Sequence, residues 1–123
     1  MKLHLAQVAD KNVVTGYGRD HVMVNRRRYD RSLVILPERL IENWDVPAFP
    51  ALAREHFQFL AGLDVEIVLL GTGERLRFPH PSLLEPLVQA GIGYEIMDTY
   101  AACRTYNILM AEDRKVVAAL ILG

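Results

Sequence analysis

Two short stretches gather the polar chemistry of this sequence, Gly71-Thr72-Gly73-Glu74 and Met97-Asp98-Thr99. Each follows an apolar run of strand character and so leaves the carboxyl end of a strand, where open α/β sheets bind their ligands. Neighbouring strands would set the two loops face to face, which makes Thr72, Gly73, Asp98 and Thr99 candidate binding residues. Gly71-x-Gly73 is half of a dinucleotide fingerprint. The third glycine would fall at Leu76 and no helix opens directly after Gly73, so the fingerprint fails. The preferred reading is structural, a tight turn where backbones approach closely. Asp98 and Thr99 precede a helical pattern, and either can cap its free N–H groups, an effect of about 1 kcal/mol. The same N–H groups and the helix dipole attract phosphate or carboxylate, but the charge of Asp98 already fills that field, which favours the cap.

Arg104 and Asn107 are three residues apart and share a helical face with Tyr100, a polar stripe on an apolar helix. Solvent exposure, an ion pair from Arg104 to a distant acid, and a ligand contact are the readings open for them. Cys103 has a cation beside it in sequence but no nearby histidine to act as base, and reads as a buried, inert thiol. His4, His21, His56 and His80 show no metal-ligand spacing. His56 falls beside an apolar helical face and reads as a partly buried histidine with a hydrogen bond. No Ser-His-Asp set or carboxylate pair can be assembled, so no catalytic residue, metal or cofactor is assigned. Phe49, Phe57, Phe59, Phe78, Tyr94 and Tyr106 read as core or core-edge.

The elements that must position these residues follow from punctuation and periodicity. Leu3–Val8, Val13–Tyr17, His21–Val24 and Ser32–Leu36 read as short strands broken by turns, in hairpins. The run Arg26-Arg27-Arg28 reads as a solvated turn at a strand end. A helix is expected over Ala51–Ala61, with Pro50 in its first turn and Gly62 in the left-handed position after it. Beyond Asp64 the pattern becomes strand, helix, strand, helix, strand. Val65–Leu70 and Val116–Leu122 are nearly continuous apolar strands, as in a sheet covered on both faces. A helix over Ser82–Ala90 has a Ser82/Glu85 capping box and a stop at Gly91. The strand Gly93–Met97 and a helix over Tyr100–Glu112 lie between. Helices packed on a central sheet are the economical solution.

At 123 residues, 51% apolar and 24% charged, the chain reads as one α/β domain over 1–123. A net charge of -1 removes the broad electrostatic case for nucleic acid or an anionic membrane as the main partner. The single cysteine, the N-terminus without the apolar core of a signal peptide, and the absence of any membrane-length apolar run imply a cytoplasmic protein without membrane insertion.

Gly71-Thr72-Gly73, Arg77-Phe78-Pro79, Gly91-Ile92-Gly93, the block Met97 to Leu109 and Val116 to Leu122 together resemble a family of small domains of unknown function. It includes a mitochondrial respiratory complex I assembly factor and an adipogenesis-associated protein. The resemblance covers nearly the whole chain, which looks like the short bacterial type. It implies a three-layer α/β fold with a central mixed sheet, no established enzymatic activity, and a protein partner. Two functions are therefore carried forward. One is a non-catalytic binding or assembly module, related to respiratory complex assembly by resemblance. The other is a small-molecule-binding protein or enzyme using the crevice at the carboxyl ends of the central strands.

Overall fold

The computed structural model describes residues 10–123, so the strand expected over Leu3–Val8 lies outside the described residues. The elements are β1 (Val14–Gly18), β2 (His21–Val24), β3 (Arg27–Tyr29), β4 (Leu33–Ile35), β5 (Leu40–Ile41), α1 (Arg54–Ala61), β6 (Ile67–Gly71), α2 (Glu85–Gln89), β7 (Gly93–Met97), α3 (Thr99–Ala111) and β8 (Val116–Leu120). Strands β1 to β3 form an antiparallel meander. The other five make a mixed sheet in the order β5-β4-β8-β6-β7. In it β8 is parallel to β6 and antiparallel to β4, and β6 is parallel to β7.

The apolar runs of β6 and β8 are continuous because both faces of the sheet are covered. Val68, Leu70, Val117 and Ala119 face one core with Phe57 and Leu60 of α1 and Leu87 of α2. Leu69, Val116, Ala118 and Leu120 face a second core with Ala102, Cys103, Tyr106 and Met110 of α3 and Val14, Val22 and Val24 of the meander. Three layers result, as expected: α1 and α2, the mixed sheet, then α3 with the meander.

Several local expectations are corrected. The segment from Ala51 is not one helix. Phe49–Ala51 is a 3-10 turn, Ala53 is extended, and α1 starts at Arg54. Gly62 is not left-handed, at φ -87. Its N–H bonds the Phe59 carbonyl in a tight last turn, and the left-handed residue comes at Asp64, φ 57, where a short polar side chain tolerates it. Ser82–Ala90 divides into a 3-10 turn, Pro81–Leu84, and α2. Pro86 has no N–H for the Ser82 carbonyl; that carbonyl accepts from Arg54 Nη1 at 3.3 Å instead. The capping box is replaced by His80, whose Nδ1 accepts from the Ser82 N–H at 3.1 Å. Gly91, at φ 70, does end α2. The arginine run is only partly a turn, because Asn25 and Arg26 make the reversal while Arg27 and Arg28 belong to β3. Phe78 is not a core residue, being 71% exposed.

His56 is buried, as expected. Its Nδ1 accepts from the Ala53 N–H at 2.9 Å and so caps α1. Its Nε2 lies 3.1 Å from Asp45 Oδ1, but the pair is misaligned for a hydrogen bond, which leaves Nε2 without a partner among the described residues, as is Trp44 Nε1.

Candidate functional site

The parallel pairing of β6 with β7 places both loops on one edge, and Thr99 joins them. Its N–H donates to the Gly73 carbonyl at 2.9 Å, its Oγ1 accepts from the Gly73 N–H at 2.9 Å, and its hydroxyl donates to the Ile121 carbonyl at 2.9 Å. Thr99 is buried. Glycine is required behind it, since a Cβ on Gly71 would stand 2.9 Å from Thr99 Cα. Gly73 turns the chain at φ 105. Thr72 is also buried and committed to the loop: its Oγ1 donates to the Arg75 carbonyl at 2.7 Å and accepts from the Arg77 N–H at 3.1 Å. Asp98 caps α3, its Oδ1 accepting from the Ala101 N–H at 2.9 Å.

Above these residues lies a cleft of about 360 Å³, closed by the β1–β2 turn on one side and residues 121–123 on the other. Thr72, Gly73 and Thr99 line it. Asp98, Arg104 and Asn107 do not. Asn107 instead pairs with the backbone of Val14, its Oδ1 accepting from the N–H at 2.9 Å and its Nδ2 donating to the carbonyl at 2.8 Å. A helix side chain thus takes the place of a strand partner for β1. Arg104 is exposed, the first of the readings open for it, and donates to the Tyr17 hydroxyl at 2.7 Å, so its side-chain partner is a phenol and not a distant acid. Tyr17 in turn stacks on Tyr100, with ring centroids 5.2 Å apart.

Arg19, Arg75 and Arg77 also line the cleft, with Asp20, Asp30 and Glu74. Arg19 is paired with Glu74 at 3.1 Å, and Arg77 lies over the Phe49 ring at 4.5 Å. Neither Arg75 nor Arg77 has a carboxylate at ion-pair distance among the described residues. Desolvation, with Glu74 nearby, raises the Tyr100 phenol above its usual range. Sequence reasoning missed these arginines, because only the fold brings the β1–β2 turn over the Thr72 loop. Cys103 lies under the site in the core, its thiol pushed up to about 12 by burial. A larger hollow, about 520 Å³, sits at the opposite end of the strands. There Lys11 pairs with Glu38 at 2.8 Å and Lys115 with Asp64 at 3.6 Å. Among the described residues no three His, Cys, Asp or Glu side chains gather around one point.

Residues 14–121 match a family described as protein of unknown function, DUF498/DUF598. The chain belongs to this family. Among its relatives is NADH dehydrogenase (ubiquinone) 1 alpha subcomplex assembly factor 3 of Bos taurus, 34% identical over 88% of this chain and 59% of the relative. The chain thus spans little more than half of that protein. A second relative, the 13 kDa major membrane protein of Francisella tularensis, is 26% identical over 85% of this chain and 86% of its own length. The crystal structure of a Bordetella parapertussis protein superposes with a TM-score of 0.86 at 41% identity, over 92% of this chain and 97% of that one. Family and three-layer fold therefore agree with the expectation from sequence. Among the described residues no helix is long and apolar enough to cross a membrane.

Proposed function

We propose that this chain is a non-catalytic binding module whose role is to help assemble a protein complex. The observation that carries this reading is the outer edge of the mixed sheet. Among the described residues β7 pairs with β6 alone, over five residues, and it carries no proline or bulge to blunt it. Such an edge accepts an added strand from a partner. Tyr94 on the edge and Val88 on the neighbouring α2 are 38% and 61% exposed, which gives the added strand apolar contacts. The commitment of Thr72, Asp98 and Thr99 to backbone groups also favours a supporting role for the crevice, and family members named as assembly factors agree. The free thiol of Cys103 fits a reducing, cytoplasmic setting.

Affinity capture from a native extract, scored for proteins and for retained small molecules, tests this. A specific protein partner is expected on the wild-type chain and absent from a Val88→Lys, Tyr94→Lys double variant. A retained small molecule without a protein partner would move the function to the cleft, with Arg75, Arg77, Thr72 and Gly73 as its walls.

A second reading has its own support. The Francisella relative, matched over most of its length, is called a membrane protein, whereas the described residues hold no membrane-length helix. Contact with a membrane surface, without insertion, reconciles the two for this chain.

A further inference from the structure

The β2–β3 hairpin polarises the charge of the molecule. Of residues 26–31, four are arginine and one is aspartate, in a chain of net charge -1, so the rest of the chain is net acidic. The reversal is made by Asn25 at φ 51 and Arg26 at φ 68. Two successive left-handed residues are the signature of a two-residue hairpin turn, for which Asn-Gly is the favoured sequence. Asparagine suits its place; at 26 a glycine would sit without strain, and arginine does not. The turn is held by the Arg26 N–H donating to Thr15 Oγ1 at 2.9 Å and by Asn25 Oδ1 accepting from the Val13 N–H at 2.9 Å. Neither bond involves the guanidinium. The Arg26, Arg27 and Arg31 side chains are exposed, and among the described residues none has a carboxylate at ion-pair distance. Arg28 reaches Asp20 at 3.4 Å. Beside the turn a groove of about 180 Å³ is lined by Arg27, Arg28 and Arg31 against Asp30 and Glu42. Backbone strain kept at a position where packing asks for nothing, under an exposed cation, points to use of the charge.

We propose that this hairpin docks the protein on an anionic phospholipid surface, with guanidinium groups on headgroup phosphates. The inference rests on the membrane-surface reading and goes beyond it by naming the element and its chemistry. Guanidinium matches phosphate in bidentate fashion. Tyr29, the aromatic ring of the segment, is half-buried and lies under Arg27, 5.6 Å from its guanidinium carbon to the ring centre, so it offers no free platform for base stacking. The acidic remainder of the chain is repelled by the same surface, which fixes one orientation.

The test is co-sedimentation of the full chain with vesicles of phosphatidylcholine containing about one-third phosphatidylglycerol, against phosphatidylcholine alone. Binding is expected only to the anionic vesicles and is lost as salt shortens the screening length from about 10 Å at 0.1 M to about 3 Å at 1 M. At about fivefold per arginine, R26Q/R27Q/R28Q loses roughly a hundredfold in affinity, while R26K/R27K/R28K, which keeps the charge but not the bidentate fork, falls between that variant and the wild type. Thermal melts show that each variant folds; if the triple Gln variant does not, R27Q/R31Q serves, with roughly a 25-fold loss. Anionic binding by the wild type that the Gln variants keep would overturn the hairpin assignment and leave the membrane reading standing. No binding to either vesicle would remove both. Retention by single-stranded RNA instead, at the same ionic strength, would overturn the proposal and give these arginines to nucleic acid.

Discussion

Thr99 holds three chain segments together through one hydroxyl and one N–H, and this sets it apart from its neighbour Asp98. Thr99→Val keeps the shape of the side chain but strands the Gly73 N–H and the Ile121 carbonyl, both at a buried position. Leaving such groups unpaired costs about 1–3 kcal/mol each, so urea denaturation of this variant is expected to show a loss of about 2–6 kcal/mol. Asp98→Ala removes a cap and is expected to cost only about 1 kcal/mol. Equal losses in the two variants would mean that Thr99 is a cap and nothing more. In the sequence the two residues look interchangeable as caps, because position before a helix is all that sequence displays. The partners that separate them, Gly73 and Ile121, lie 26 and 22 residues away. Asn107 shows the same limit more strongly, since its partner Val14 is 93 residues distant and no local pattern announces it.

At the scale of elements, those with their own continuous signal were legible: the apolar runs of β6 and β8, the strand β7, and α3 to within a residue at each end. What escaped were pieces whose structure is imposed from outside. β5 has two residues and exists because β4 offers it an edge. β3 hides in an arginine run because it is an exposed outer strand with only Tyr29 partly covered. The break before α1 is a third case, and His56 explains where the helix restarts. Its ring accepts the Ala53 N–H while its own N–H donates to the Ala53 carbonyl at 3.1 Å. His56→Ala is expected to destabilise the protein by about 2–4 kcal/mol, through the lost cap and the cavity beside Trp44. His56→Gln keeps an acceptor and should recover part of this. Backbone amide exchange is the informative measurement: faster exchange confined to the first turn of α1 is expected in the Ala variant. Unchanged exchange there would deny His56 the capping role.

For the whole molecule, two buried acids set an upper limit on the pH of the folded state. Burial pushes the Cys103 thiol from 9.0 up to about 12, with Arg104 opposing and Asp98 adding to the effect. Burial also raises the Tyr106 phenol from 10.0. Both stay protonated in the folded protein at pH values where the unfolded chain has lost the proton. The unfolded state then binds fewer protons, so stability is full below about pH 9 and declines above it, by roughly 1.4 kcal/mol per pH unit for each such group. Urea midpoints measured from pH 8 to 10 should fall, and Cys103→Ala should flatten the first part of that fall. A wild-type midpoint that stays level over this range would show the thiol to be accessible to solvent.

The sheet order carries a consequence for synthesis. β4 and β6 do not pair; β8 lies between them and, among the described residues, supplies the strand hydrogen bonds that join β5-β4 to β6-β7. Leu33–Ile35 must therefore wait until residues 116–120 are made. At roughly 5–20 residues per second, the eighty or so residues between them take about 4–16 s. Through that interval two apolar strand edges of the growing chain stay unpaired. A nascent chain halted anywhere in it is a natural client for a ribosome-associated chaperone, whereas the finished chain is not.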